Sequence, residues 1–105
     1  MEFTELQARV HRLNQRIGGE WQPQWQLLWL FEELGELSRE MQKKEKLPAK
    51  LHTDNIETIH ENIKEEFGDV IYGIISLSKS LGLDILDCLE YSIEKFEERH
   101  NSERN

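Results

Sequence analysis

The residue types best suited to chemistry fall in two acidic clusters, Glu32-Glu33-Leu34-Gly35-Glu36 and Glu65-Glu66-Phe67-Gly68-Asp69, some thirty residues apart. On a helix, positions three apart are neighbours, so Glu33/Glu36 and Glu66/Asp69 each project two carboxylates to one side. Two such helices packed face to face gather four carboxylates around one point. Like charges at that spacing repel, and the arrangement persists only with a hard cation in the gap or with shifted pKa values. Two further sets could meet a ligand. Lys95 and Arg99 are four apart and share a helix face, where they suit either phosphate oxygens or a helix C-terminal dipole. Trp21, Trp25 and Trp29 recur every fourth residue toward the first acidic cluster, as a stacking platform for a nucleobase or as core and interface aromatics.

Helical periodicity supplies the elements that must position these groups. A first helix over residues 4 to 17 carries Leu6, Val10, Leu13 and Ile17 on one stripe, with Thr4 and Gln7 as a capping box and Gly18-Gly19 as its stop. Pro23 suits the first turn of a second helix that runs to about Lys46, with Leu27, Leu30, Phe31, Leu34, Leu37 and Met41 as its core stripe. Leu47-Pro48 opens a loop over 47 to 53. Asp54, with Glu57 three residues on, caps a third helix carrying Ile56, Ile59, Ile63, Phe67, Val70, Ile71, Ile74, Ile75 and Leu81. Gly82 closes it, and Asp84 caps a fourth helix with Ile85, Leu86, Leu89, Ile93 and Phe96 inward. No stretch reads as a strand. The expected fold is all-α, a four-helix bundle in a single domain over residues 1 to 100, followed by a polar tail over 101 to 105.

At about 100° per residue, Glu33 and Glu66 lie roughly 90° and 70° from the centres of their apolar stripes, at the boundary that turns toward a neighbouring helix. Glu36 and Asp69, at about 150° and 130°, share that boundary, whereas Glu61 and Glu65 point further away. Glu32, about 100° from Glu33, either orients a water or ligand or is a surface residue.

A formal net charge of -8 leaves no basic surface to displace counterions, which argues against nucleic acid or an anionic membrane as a partner. A phosphate ligand would then need a metal as mediator. The single cysteine, Cys88, excludes an intrachain disulfide, fits a reducing compartment and reads as a small buried apolar residue. The start Met1-Glu2-Phe3 shows no signal-peptide pattern and no apolar run reaches the length of a membrane span, so a cytoplasmic location is expected. A third helix from about 54 to 81 would be roughly 40 Å long at 1.5 Å per residue, whereas a compact domain of this size has a radius of gyration near 13 Å. Such a rod calls for a second subunit, with a dimer as the minimum.

The order Glu32-Glu33-x-x-Glu36, Glu66-x-x-Asp69 and Lys95-Phe96-x-x-Arg99 on an all-helical chain of this length resembles the MazG-like nucleoside triphosphate pyrophosphohydrolases, from about Pro23 to Arg99. The resemblance implies hydrolysis of a nucleoside triphosphate between its α- and β-phosphates to a monophosphate and pyrophosphate, dependent on Mg²⁺ with Mn²⁺ as a substitute. A role in cleansing the nucleotide pool would follow. It also implies a homodimer or tetramer, metal ligation by Glu33, Glu36, Glu66 and Asp69, and a catalytic part for Glu32, Glu33 and Glu36. Lys95 and Arg99 would hold the departing phosphates. Trp21 and Trp25 are the candidate base contacts, with Trp29 a weaker one, and Asn62, one turn before Glu66, either reaches substrate or is an ordinary polar helix residue. Phosphoribosyl-ATP pyrophosphohydrolases are an alternative with similar acidic motifs. From other classes come a carboxylate-metal bundle, suggested by the ExxH spacing of Glu57/His60 and Glu97/His100, and a non-enzymatic acidic interaction module.

Overall fold

A computed structural model describes residues 1–18, 21–46 and 56–104. Four helices follow one another: α1 (Phe3–Arg16), α2 (Pro23–Lys46), α3 (Ile56–Ser80) and α4 (Ile85–Arg104), with no strand among the described residues. The all-α expectation holds, and α2 begins and ends where Pro23 and the end of its periodicity placed it. The α4 helix takes in residues 101 to 104 of the polar segment. No helix of the described residues is long and apolar enough to cross a membrane.

The stop and start signals work through identifiable hydrogen bonds. Gly82 adopts φ +68°, which an L side chain disfavours, and lets Leu83 N–H donate to the Ser78 carbonyl at 2.9 Å while its own N–H donates to Lys79. Two residues later the Asp84 side chain accepts the Asp87 N–H at 3.0 Å and opens α4. Gly18 likewise ends α1 with φ +130°. The proposed Thr4/Gln7 capping box does not form. The helix starts one residue earlier, with Glu2 at the N-cap and no side-chain cap, so Thr4 already lies inside the first turn. The Asp54 cap, Gly19 and the 47 to 53 loop fall outside the described residues.

Helices α2 and α3 form the central pair, and three contacts fix them as antiparallel. Glu40 meets Asn62, Glu33 meets Glu66 and Asp69, and Trp29 and Leu30 meet Gly73. The helices approach closely at Gly73, where a Cβ would stand 2.8 Å from Trp29 Cζ3 and 3.1 Å from Leu30 Cδ1. Leu30, Ile59, Val70 and Ile75 are the buried apolar residues, each contributing about 1.5–3 kcal/mol. Helix α1 adds to the pair through Asn14, which meets Tyr72 and Ser76 of α3.

The phase of α2 differs from the sequence expectation in an informative way. Its inward face runs through Gln26, Leu30, Glu33, Leu37 and Glu40, all buried or half-buried. The expected core residues Leu27, Phe31, Leu34 and Met41 are exposed instead, Phe31 by 60%. Leu6 and Leu13 of α1 with Ile17 just after it, and Phe67, Ile71 and Ile74 of α3 with Leu81 just after it, are exposed as well. Helix α4 departs further, packing only marginally on the other three, so Leu86, Leu89, Ile93 and Phe96 lie open to solvent rather than inward, as does Cys88. The radius of gyration is 17.6 Å, well above the 13 Å or so of a compact domain of this length. An apolar stripe is a demand for a partner surface, and a single chain with two closely paired helices has too little interior to meet it.

Candidate active site

The polar seam of α2 places Glu33 against α3, where Glu66 and Asp69 arrive from successive positions of the antiparallel partner. One carboxylate oxygen from each of Glu33, Glu66 and Asp69 lies within 4.8 Å of the others. Glu36, one turn beyond Glu33 and exposed at its outer edge, stands within hydrogen-bonding reach of both Glu33 and Glu66. The four carboxylates expected from spacing thus converge, three in a tight group and the fourth at its rim.

Their electrostatics show what the protein alone leaves unresolved. Glu33 is buried, and desolvation pushes its pKa from an ordinary 4.5 up to about 7, reinforced by the charges of Glu36, Asp69 and Glu66 and a hydrogen bond with Glu36. Burial also raises Glu66, followed by a hydrogen bond with Glu36 and by the charges of Glu36, Asp69 and Glu65. No cation appears among the causes for either. One oxygen of each, Oε2 of Glu33 and Oε2 of Glu66, is sealed from solvent without a hydrogen-bond partner. An unpartnered buried carboxylate oxygen costs free energy that a cation would recover, so this all-oxygen donor set fits a hard divalent ion such as Mg²⁺.

The other candidates distribute unevenly. Glu32 is exposed on α2. Lys95 and Arg99 stay on α4, where they flank Phe96, at 5.0 Å from the ring centroid for Lys95 Nζ and 5.8 Å for Arg99 Cζ. Within one chain they are not brought to the carboxylates. Asn62 turns to Glu40 Oε2, at 3.5 Å, and Glu40 also pairs with Lys43 at 3.0 Å. Glu57, His60, Glu97 and His100 are all exposed, and the acidic group that gathers among the described residues is not built from them.

One to two turns along α2 and α3 from the acidic group lies a cleft of about 220 Å³ walled by Trp21, Trp29, Ile17 and Gly73, with Asn14, Gln26, Tyr72 and Ser76 as its polar lining. Trp21 therefore reaches a cavity, as does Trp29, whereas Trp25 is 61% exposed and does not line it. Asn14 Nδ2 donates to Ser76 Oγ at 2.9 Å, the Tyr72 hydroxyl donates to Asn14 Oδ1 at 2.6 Å, and Ser76 Oγ donates to the Tyr72 carbonyl at 3.0 Å. Burial pushes the Tyr72 phenol pKa upward. None of the four polar lining residues was singled out from the sequence. Gln26 carried a usable signal, since 26, 30, 33, 37 and 40 repeat at helical spacing through Glu33. Asn14, one turn beyond Val10 on the α1 stripe, carried a weaker one.

Residues 22–103 match the MazG nucleotide pyrophosphohydrolase domain. The chain is similar to the uncharacterized protein YpjD of Bacillus subtilis (strain 168), at 30% identity over 98 residues, which spans 92% of this chain and 85% of that protein. Its fold is similar to a crystal structure of Bacillus subtilis YpjD, described there as a proposed pyrophosphatase, with a TM-score of 0.75, 28% identity, and coverage of 91% of this chain and 95% of that one.

Proposed function

We propose that this chain, which belongs to the MazG nucleotide pyrophosphohydrolase family, hydrolyses nucleoside triphosphates between the α- and β-phosphates, giving a monophosphate and pyrophosphate. Pyrophosphohydrolase chemistry follows from the family. The finer reading rests on one observation: Glu33 and Glu66 each bury an unpartnered carboxylate oxygen in the cluster they share with Asp69. Glu33, Glu36, Glu66 and Asp69 would hold Mg²⁺ or Mn²⁺. A divalent cation there supplies the positive charge that carboxylates and substrate phosphates both need, and favours a water as nucleophile toward the α-phosphorus.

The chain's own groups divide the remaining work. Glu33, the most buried of the four carboxylates, offers its unpartnered oxygen to the cation. Glu36, at the rim of that group, fixes Glu33 and Glu66, and Glu32, exposed on the same helix, orients the incoming water. Trp21 offers an aromatic face to the base, and Trp25 an outer one.

Lys95 and Arg99 bind the β- and γ-phosphates and stabilise the leaving pyrophosphate. Because α4 stands off the carboxylates in one chain, this role belongs to an assembled homodimer or tetramer. Exposure of Phe31, Leu34, Leu89 and Phe96 supports such assembly.

The test is a panel of nucleoside triphosphates with Mg²⁺ or Mn²⁺, scored separately for pyrophosphate and orthophosphate. Pyrophosphate with stoichiometric monophosphate is expected. Orthophosphate as the direct product contradicts α,β cleavage.

A further inference from the structure

We infer that Gln26 selects the base, and that the cleft between Trp21 and Trp29 takes a nucleobase presenting an exocyclic amino group to the Gln26 carboxamide. The inference deepens the nucleotide reading and rests on it for the identity of the ligand, but its observations are separate from the carboxylates.

Gln26 is only 8% exposed, lines the cleft, and has its Oε1 sealed from solvent without a hydrogen-bond partner. Its neighbours in the lining differ. Asn14, Tyr72 and Ser76 close a hydrogen-bonded ring across α1 and α3, which holds that wall rigid and leaves it little reason to reorganise. Gln26 is thus the lining residue whose acceptor is unused. A lone buried acceptor is a cost in the empty protein and a source of discrimination once a donor arrives.

The cleft dictates the rest of the ligand. Two indoles and Gly73 form its walls, and α3 comes so close at Gly73 that a Cβ there would stand 2.8 Å from the Trp29 ring, which fixes that indole as a wall. Flat aromatic walls favour a flat heteroaromatic guest. Rotation about the terminal torsion of a glutamine side chain is soft, but only a donor on the guest satisfies the unpartnered Oε1, whereas an oxo base that takes the amide N–H leaves it unpaired. The position of Gln26 on α2, two turns before Glu33, puts the base end of a ligand and the acidic group on the same helix face.

The experiment has two arms on the purified full-length chain. In the first, kcat/KM for pyrophosphate release is measured with Mg²⁺ on the triphosphates of cytosine, adenine, uracil and hypoxanthine, for the wild type, Gln26→Leu and the isosteric Gln26→Glu. In the second, quenching of tryptophan fluorescence by the corresponding nucleoside monophosphates is measured without metal. Expected is a wild-type preference of about 10-fold or more for one or both amino-bearing bases over their oxo counterparts in both arms, collapsing to within about 3-fold in Gln26→Leu. At pH 8, Gln26→Glu retains the preference, because a carboxylate still accepts from an amino group. Circular dichroism and melting of both variants confirm the fold, and the exposed-site control Gln24→Leu keeps the wild-type profile. A wild type without preference, a preference for the oxo bases, or a Gln26→Leu profile parallel to the wild type overturns the inference. Absence of turnover on every triphosphate, with base-dependent quenching intact, overturns the catalytic reading and leaves the cleft assignment standing.

Discussion

Helix α3 carries two buried polar groups within three turns of each other, and they are built on opposite principles. Tyr72 and Ser76 join Asn14 in a ring in which donor meets acceptor at 2.6 to 3.0 Å. Glu66 and Asp69 join Glu33 in a cluster of carboxylates, in which Glu33 and Glu66 each carry a sealed, unpartnered oxygen and a raised pKa. The first group satisfies itself and ties α1 to α3. The second is left incomplete by the protein, with two buried oxygens unpartnered and a donor set of the kind a divalent cation takes. Buried polar residues are thus not one class: a satisfied set is structure, and an unsatisfied set of like charge is a site.

The largest effect that separates them is on turnover. Glu36→Gln and Asp69→Asn are each expected to lower Mg²⁺-dependent pyrophosphate release by about 100-fold or more while the helical spectrum stays intact. Near-normal turnover in either variant would remove that residue from the site. Asn14→Ala should do the opposite, leaving Tyr72 and Ser76 without their shared partner and costing about 1–3 kcal/mol of stability, read as a lowered denaturation midpoint.

The sign of the stability change sharpens the contrast further. The pKa of Glu33 is raised in the folded chain, so its neutral form favours folding. That contribution is present below about pH 4.5 and is lost as pH rises through about 7. Metal-free protein should therefore melt at a lower temperature at pH 8 than at pH 5.5, and Glu33→Gln, neutral at both, should narrow the difference. An equal or wider gap in Glu33→Gln would assign the pH dependence to other groups. A smaller effect is expected on α4, where Lys95→Ala should raise KM for the triphosphate several-fold. An unchanged rate profile would leave Lys95 as the α4 side chain that covers Phe96.

Much of this was legible in the sequence, because capping and period are local. Pro23, Gly82 and Asp84 act within a turn of their own position, and Glu33, Glu66 and Asp69 follow from helix phase. The face that α2 buries was not legible. Hydrophobicity pointed to Leu27, Phe31, Leu34 and Met41, but the seam with α3 runs through Gln26, Glu33 and Glu40. Periodicity reports that a stripe wants cover without saying whether the same chain supplies it. The same reasoning misplaced Leu89, Ile93, Phe96 and Cys88, which the single chain leaves exposed on α4. The Gln26 cleft went unseen because it is assembled from three helices, and polar residues that read as solvent-facing in sequence acquire their role only when those helices meet.

The account turns on whether the acidic group is a cation site, and thermal melting of the metal-free chain at pH 8 during a Mg²⁺ titration tests that most directly. The melting temperature should rise saturably for the wild type, and the rise should be absent in Asp69→Asn. A wild-type melting temperature that does not move with Mg²⁺, or one that moves equally in Asp69→Asn, would contradict it.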